Sequence, residues 1–151
     1  MIFNLHGFNS AGNNNTSDQL SVYFGKETRV ISPSYSVHNF ARGIVELIHE
    51  VDRELAASDP GPLLFVGSST GAVFAETLAK QYRAKAVLIN PVTNPGILKG
   101  ALGWNKNYRT EVEYEFTEQD LANFAAADVD WNTPRLVLVE RDDPVIDHSL
   151  T

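Results

Sequence analysis

The chain has 151 residues, of which 43% are hydrophobic and 21% are charged, and its formal charge is −7 at pH 7. This length predicts one domain over residues 1–151, because a chain of about 150 residues buries roughly two-thirds of its unfolded surface in a single core. The negative charge argues against a nucleic-acid partner, since it repels a polyanion. The sequence contains no cysteine, which excludes disulfides, zinc–thiolate sites and a thiol nucleophile within it.

No apolar segment approaches the roughly 18 residues that a membrane span needs, and the first residues lack the pattern of a signal peptide. We therefore expect a cytoplasmic protein that has no membrane partner.

Five short apolar runs bounded by turn residues predict buried strands, and three longer stretches with helical spacing lie between them. The predicted strands cover residues 2–5, 29–31, 63–66, 86–89 and 136–139, and the predicted helices cover residues 18–24, 40–55 and 72–82. Alternation of strands and helices predicts an α/β fold in which a three-layer, doubly wound and mostly parallel sheet has about five strands.

The interval 92–133 interrupts this alternation. It contains a predicted short helix through Leu98, an alternating segment at Val112, Tyr114 and Phe116, and a helix that starts at the capping sequence 117–120. An insertion at this point would cover the carboxyl ends of the strands, where ligands bind in such sheets. We therefore predict that residues 92–133 form a small lid.

The sequence Gly67-Ser68-Ser69-Thr70-Gly71 matches Gly-x-Ser-x-Gly between a predicted strand and a predicted helix. Small residues at both ends permit a turn so sharp that the central hydroxyl stands clear of the backbone. The helix that follows offers its positive end and its free amides to a developing oxyanion. The pattern predicts a nucleophile elbow with Ser69 as nucleophile and Ser68 as the neighbouring alternative.

The sequence Leu5-His6-Gly7-Phe8 follows the first predicted strand directly. Hydrolases with this kind of elbow take a second oxyanion donor from such a loop, which often carries His-Gly. We predict that the backbone amides of Phe8 and Thr70 form the oxyanion hole and that His6 and Gly7 order the loop. His6 is not expected to be the base, because in such hydrolases the catalytic histidine follows the acid along the chain.

The loop after the last predicted strand holds the candidate acids. Asp143, followed by Pro144-Val145-Ile146, is the preferred residue, and Asp142 is the alternative. A plainer interpretation is that both carboxylates only cap the loop.

Together these motifs resemble the small YqiA-like bacterial esterases of the α/β-hydrolase superfamily. The matching stretches lie in the order of that family: residues 5–10, 66–71, 90–91 and 143–147. The resemblance implies a compact hydrolase of short acyl esters or thioesters, with Ser69 as nucleophile, Asp143 as acid, and neither cofactor nor metal. Thr70 and Ala72 replace a larger apolar residue and a second glycine, which could narrow the acyl site.

The catalytic base departs from the family pattern. The family carries its histidine in a Gly-Gly-x-His-like loop after one further strand, and only eight residues follow Asp143 here. One explanation is that the sequence is a shortened version that lacks the C-terminal strand, histidine loop and helix. Another is that His148 has become the base. The third is a noncatalytic protein, or a site completed by another chain. His38 and His49 are expected at the surface.

Two hypotheses of function follow. The first is a serine hydrolase acting on a small acyl-ester substrate through a Ser-His-Asp mechanism. The second is a noncatalytic domain that binds a small acyl ligand or a protein partner through lid aromatics, namely Trp104, Tyr108, Tyr114 and Phe116. An exposed strand edge at residues 136–139 would also allow a homodimer.

Overall fold

The structure is a computed structural model that describes residues 1–57, 61–127 and 133–141. In chain order its elements are β1 (Ile2–Leu5), α1 (Asn15–Phe24), β2 (Val30–Ile31), α2 (Phe40–Ala57), β3 (Leu64–Ser68), α3 (Gly71–Gln81), β4 (Lys85–Ile89), a 3₁₀ helix (Pro95–Ala101), β5 (Gly103–Lys106), β6 (Glu113–Phe116), α4 (Glu118–Ala125) and β7 (Arg135–Leu138).

Within the described residues, five parallel strands form one sheet in the order β2-β1-β3-β4-β7. The predicted α/β class and the strand number are therefore confirmed. Each predicted strand has a counterpart whose bounds differ by at most two residues. Helix α1 begins earlier than predicted, at Asn15, because the side chain of Asn14 caps it by accepting a hydrogen bond from the Ser17 amide at 3.0 Å.

The core forms around the middle of this sheet. Every residue of β1 is buried, as expected for a central strand of a parallel sheet whose faces are covered. Helices α2 and α3 pack against each other through Phe40 and Phe74, whose ring centroids lie 4.9 Å apart. The largest fully buried apolar side chains belong to Phe3, Leu5, Leu47, Val51, Phe65, Phe74, Leu78 and Phe116.

The strand order contains a reversal between β1 and β3. After β1 the chain crosses to β2 on one side, and after β3 it crosses to β4 on the other. The loops that leave these two neighbouring strands therefore run in opposite directions and open a crevice at the carboxyl ends of the strands. Ligands bind at such a switch point in open α/β sheets. The residues of the predicted oxyanion loop after β1 and of the predicted elbow after β3 lie at this crevice.

The segment after β4 contains the 3₁₀ helix, an antiparallel hairpin of β5 and β6, and α4. Strand β5 was not predicted. Helix α4 starts as predicted, because Thr117 and Asp120 form a reciprocal capping box.

At the edge of the described sheet opposite β2, strand β7 pairs with β4. Its residues Leu136, Val137 and Leu138 are 55%, 45% and 46% exposed. No helix among the described residues is long and apolar enough to cross a membrane.

Candidate active site

Ser69 lies in the turn between β3 and α3, and its backbone has a φ of +54°. This left-handed conformation is unfavourable for a residue with a side chain, so the surrounding structure has to hold it. Three hydrogen bonds do so. The Ser69 amide donates to the Ile89 carbonyl at 2.9 Å, and the Ser69 carbonyl accepts from the amides of Ala72 at 3.1 Å and Val92 at 3.3 Å.

The two glycines that flank this turn allow close contacts between backbones. A Cβ atom on Gly67 would lie 2.4 Å from the Gly71 carbonyl oxygen, and a Cβ on Gly71 would lie 2.3 Å from the carbonyl oxygen of Leu5. Neither space can hold a methyl group. The first contact closes the turn, and the second places the start of α3 directly against the end of β1.

The loop after β1 lies beside the elbow. A Cβ built on Gly7 would be 3.0 Å from the Ser69 Cβ and 3.6 Å from the Ser69 Oγ, so Gly7 borders the hydroxyl. Among the described residues, the amides of Phe8 and Thr70 find no hydrogen-bond acceptor. Two unused donors thus occur in the loops on either side of the switch point.

His6 is 2% exposed and anchors the loop after β1. Its Nδ1 lies 3.0 Å from the Gly7 carbonyl oxygen, which can only accept, so Nδ1 carries the proton. The His6 carbonyl accepts a 2.7 Å hydrogen bond from the Tyr35 hydroxyl, and the two rings lie 4.4 Å apart. Burial lowers the pKa of His6, although the hydrogen bond to Gly7 opposes this shift. The ring is therefore neutral at pH 7.

Two polar atoms near the elbow are buried without a partner in the described structure: Nε2 of His6 and Oγ1 of Thr70. Thr70 is fully buried at the start of α3, and its side chain does not cap the helix. Burying an unpaired polar atom costs about 1–3 kcal/mol, so these atoms make the elbow a costly part of the fold.

The hairpin of β5 and β6 holds the loop after β1 from the outside. The Tyr114 hydroxyl donates to Oδ1 of Asn9, and the Asn107 side-chain amide donates to the Ser10 carbonyl at 2.8 Å. Phe8 packs edge-on against Phe116, with ring centroids 5.1 Å apart. Burial raises the pKa of Tyr114 to about 12, so its hydroxyl stays protonated and remains a donor.

A cleft of about 830 Å³ opens between these elements. Its lining comes from the loop after β1, the start of α1, the elbow, the segment after β4 and the turn of the hairpin: His6, Gly7, Phe8, Asn9, Ser10, Asn14, Asn15, Thr16, Ser68, Ser69, Val92, Ile97, Leu98, Gly100, Ala101, Tyr108 and Arg109. In the part of the chain that the structure describes, no group of three His, Asp or Glu side chains could hold a metal ion.

The structure thus brings His6, Gly7, Phe8 and Ser69 to one cleft. Thr70 does not line it with its side chain. The predicted acid and base, Asp143 and His148, and the alternative Asp142 lie outside the described residues.

Residues 138–140, which lead to the predicted acid Asp143, are described, and they lie beside the end of β4. The Asn90 amide donates to the Leu138 carbonyl at 2.8 Å, and the Asn90 side-chain oxygen accepts from the Glu140 amide at 2.7 Å. These bonds hold Glu140 next to the carboxyl end of β4.

His38, predicted at the surface, is partly exposed. His38 is half-buried and stacks on Tyr114, with ring centroids 4.2 Å apart, because the hairpin folds back over the start of α2. Its pKa is lowered mainly by this burial. His49 is exposed, as predicted. Of the four aromatics assigned to ligand binding in the second hypothesis, Phe116 is buried in the core, whereas Trp104 is 76% exposed.

Sequence reasoning missed two residues of this site, Asn107 and Arg109. Asn107 connects the hairpin turn to Ser10 across 97 positions, and Arg109 lines the cleft. The cluster of polar residues around Asn107 indicates a turn. Its contact with the loop after β1 depends on tertiary packing and leaves no local signal.

A model of the family described as "Uncharacterised protein family (UPF0227)" matches residues 1–151. A UPF0227 protein of Shewanella sediminis is 36% identical over 97 residues, which are 63% of this chain and 52% of the relative. Another, of Shewanella sp. strain ANA-3, is 32% identical over 157 residues, covering 100% of this chain and 80% of the relative. The chain therefore matches about half the length of the first relative.

Two solved structures share the fold at low sequence identity. One belongs to work on LipS and LipT, two metagenome-derived lipolytic enzymes; its TM-score is 0.66 at 17% identity, covering 97% of this chain and 74% of that chain. The other is a candidate hydrolase from Agrobacterium vitis S4, with a TM-score of 0.61 at 16% identity, covering 93% and 78%. These likenesses confirm the predicted α/β-hydrolase fold.

We predict that Gly71→Ala lowers the free energy of unfolding by about 3 kcal/mol, because the new methyl group would overlap the Leu5 carbonyl. Urea unfolding followed by circular dichroism would measure the change. Gly61→Ala is the matched control, since nothing lies within 4 Å of its Cβ position. Equal stability of the two variants would contradict the close contact between α3 and β1.

We also predict that the protein loses stability as the pH falls below the unfolded-state histidine pKa of 6.5, because the unfolded chain takes up a proton that buried His6 resists. Burial also lowers the pKa of His38, and it therefore also reduces the free energy of unfolding as the pH falls. The free energy of unfolding should fall less between about pH 7.5 and about pH 5.5 in His6→Asn than in the native chain. His49→Asn, a change at an exposed position, should keep the native slope. A native slope in His6→Asn would refute this contribution.

Proposed function

The chain belongs to the UPF0227 family, and we propose that it is a serine hydrolase that cleaves short acyl esters or thioesters with Ser69 as nucleophile. The observation that carries the proposal is the left-handed Ser69 at a strand–helix turn, bordering a cleft at the switch point of the sheet. A side chain held in such a conformation at a ligand-binding edge points to a functional role for its hydroxyl.

The proposed reaction has two steps. The Ser69 Oγ attacks the carbonyl carbon while its proton passes to a base, and the amides of Phe8 and Thr70 stabilise the negative oxygen of the tetrahedral intermediate. The intermediate then expels the alcohol or thiol, which takes the proton, and leaves an acyl group on Ser69. Water then attacks the acyl carbon while the base takes a proton from the water. The carboxylic acid is released, and the Ser69 oxygen regains its proton. The unused amides of both residues support this assignment.

We propose His148 as the base because, of the four histidines present in this sequence, it is the one that follows the proposed acid. His6 donates from Nδ1 to Gly7, and its Nε2 is buried. His38 stacks on Tyr114 and His49 is exposed on α2, and neither lines the cleft. Asp143 would orient the base. The contacts between Asn90 and Glu140 support this, because they hold the chain three residues before Asp143 near the end of β4.

In this proposal residues 92–133 form the lid of a cytoplasmic enzyme. The 3₁₀ helix within them supplies Ile97 and Leu98 to the cleft wall, where they would contact a short acyl chain.

A second candidate is a noncatalytic domain that binds an acyl ligand in the same cleft. One observation favours it: among the described residues that line the cleft, His6 is the single candidate base, and its ring faces the protein interior. Activity measurements separate the two candidates.

We predict that a fluorophosphonate probe labels the native chain and that Ser69→Ala abolishes the labelling. The same variant should lower the turnover of 4-nitrophenyl acetate roughly a thousandfold or more, because no other group replaces the attacking hydroxyl. Ser68→Ala is the matched control and should still be labelled. If the native chain neither labels nor hydrolyses the ester, the noncatalytic candidate is favoured.

We further predict that His148→Ala lowers kcat for 4-nitrophenyl acetate roughly a thousandfold, since a serine hydroxyl is a poor nucleophile without its base. His49→Ala serves as the control because it removes an exposed histidine outside the cleft. Native activity in His148→Ala would exclude His148 as the base.

A further inference from the structure

The cleft beside Ser69 is lined by both apolar and polar side chains. One wall is apolar and consists of side chains from the segment after β4: Val92, Ile97, Leu98 and Ala101. Other lining side chains are polar and come from the start of α1 and the turn of the hairpin: Asn14, Asn15, Thr16 and Arg109. A ligand that fills the cleft would therefore meet an apolar surface and a polar one at the same time.

Arg109 is the charged residue of this lining, since His6 is neutral and the other lining residues are uncharged. Its Nη2 donates to the side-chain oxygen of Asn15 at 3.4 Å. Within the described residues no carboxylate lies within ion-pair distance of its guanidinium. Among the described residues, Arg109 is thus a cation of the cleft lining without a carboxylate partner, in a chain whose net charge is −7.

The backbone that carries Arg109 is fixed by Asn107. Oδ1 of Asn107 accepts from the amides of Arg109 at 2.9 Å and Thr110 at 3.0 Å, which closes the turn. Its Nδ2 donates to the Ser10 carbonyl, which belongs to the loop that borders Ser69. The position of Arg109 is therefore tied to the loop after β1.

We propose that Arg109 binds an anionic group of the substrate, so that the chain acts on short acyl esters that carry a carboxylate or a phosphate. A guanidinium presents several donors in one plane and suits either group. The ester part of this inference rests on the proposed function, whereas the contact between Arg109 and an anion can be tested without it.

The kinetic test compares each charged ester with a neutral one. The first pair is 4-nitrophenyl hydrogen succinate and 4-nitrophenyl butyrate, which place a carboxylate in the acyl part. The second is 4-acetoxyphenyl phosphate and phenyl acetate, which place a phosphate in the alcohol part. We expect Arg109→Ala to lower the charged-to-neutral ratio of kcat/KM about tenfold in at least one pair, and Arg109→Lys to restore part of it.

Lys99→Ala is the matched control, because it removes an exposed cation outside the cleft lining and should leave both ratios unchanged. The pair that responds identifies the position and the type of the anionic group. Unchanged ratios in both pairs for Arg109→Ala would overturn the inference.

Binding keeps the inference testable if the chain proves inactive. Calorimetry would measure the Kd of 4-nitrophenyl hydrogen succinate and of 4-acetoxyphenyl phosphate for Ser69→Ala and for the double variant with Arg109→Ala. We expect Kd to rise about tenfold for at least one ligand in the double variant. Equal Kd values, or no binding of either ligand to Ser69→Ala, would overturn the role of Arg109. Failure of probe labelling alone would overturn only the proposed hydrolase.

Discussion

The close approach of two backbones, at the end of β1 and the start of α3, is the constraint on which the site depends. The loops after β1 and β3 leave the sheet in opposite directions, and they can face each other only if no side chain lies between them. Gly71 meets the carbonyl of Leu5, and Gly7 meets the Cβ of Ser69. These glycines bring the loop that carries the Phe8 amide next to the Ser69 side chain. A methyl group at Gly71 would separate them.

The hairpin in the insertion after β4 mainly contacts the loop after β1. It contacts this loop through Tyr114 and Asn107, and Phe8 of the loop packs against Tyr114 and Phe116 of the hairpin. Ser69 of the elbow is held by hydrogen bonds to Ile89 in β4 and to Val92, which lies at the start of the segment after β4. The hairpin instead holds the loop that carries the Phe8 amide. Changes in the hairpin would therefore act on this loop more than on Ser69.

The sequence predicted those features of the fold that local residue patterns determine. Apolar runs gave the five sheet strands, and Gly67 and Gly71 gave the elbow between β3 and α3. Strand β5 escaped prediction because Gly103–Lys106 has no alternating apolar pattern and pairs through its partner β6. The half-burial of His38 was not predicted, because its stacking on Tyr114 joins residues 76 positions apart in the sequence. Such contacts arise from tertiary packing, which a single sequence does not encode locally.

Backbone strain at Ser69 supports the proposed role of its hydroxyl beyond what the fold alone implies. Five non-glycine residues in the described part of the chain are left-handed. Asn9, Ser69 and Asn90 follow the carboxyl ends of β1, β3 and β4, whereas Arg83 and Glu111 lie in turns elsewhere. Asparagine tolerates this conformation, whereas serine pays a cost on the order of 1 kcal/mol that glycine would avoid. A turn that served only to connect strand and helix would be more stable with glycine at position 69. A hydroxyl kept there at such a cost favours its use as a reacting group.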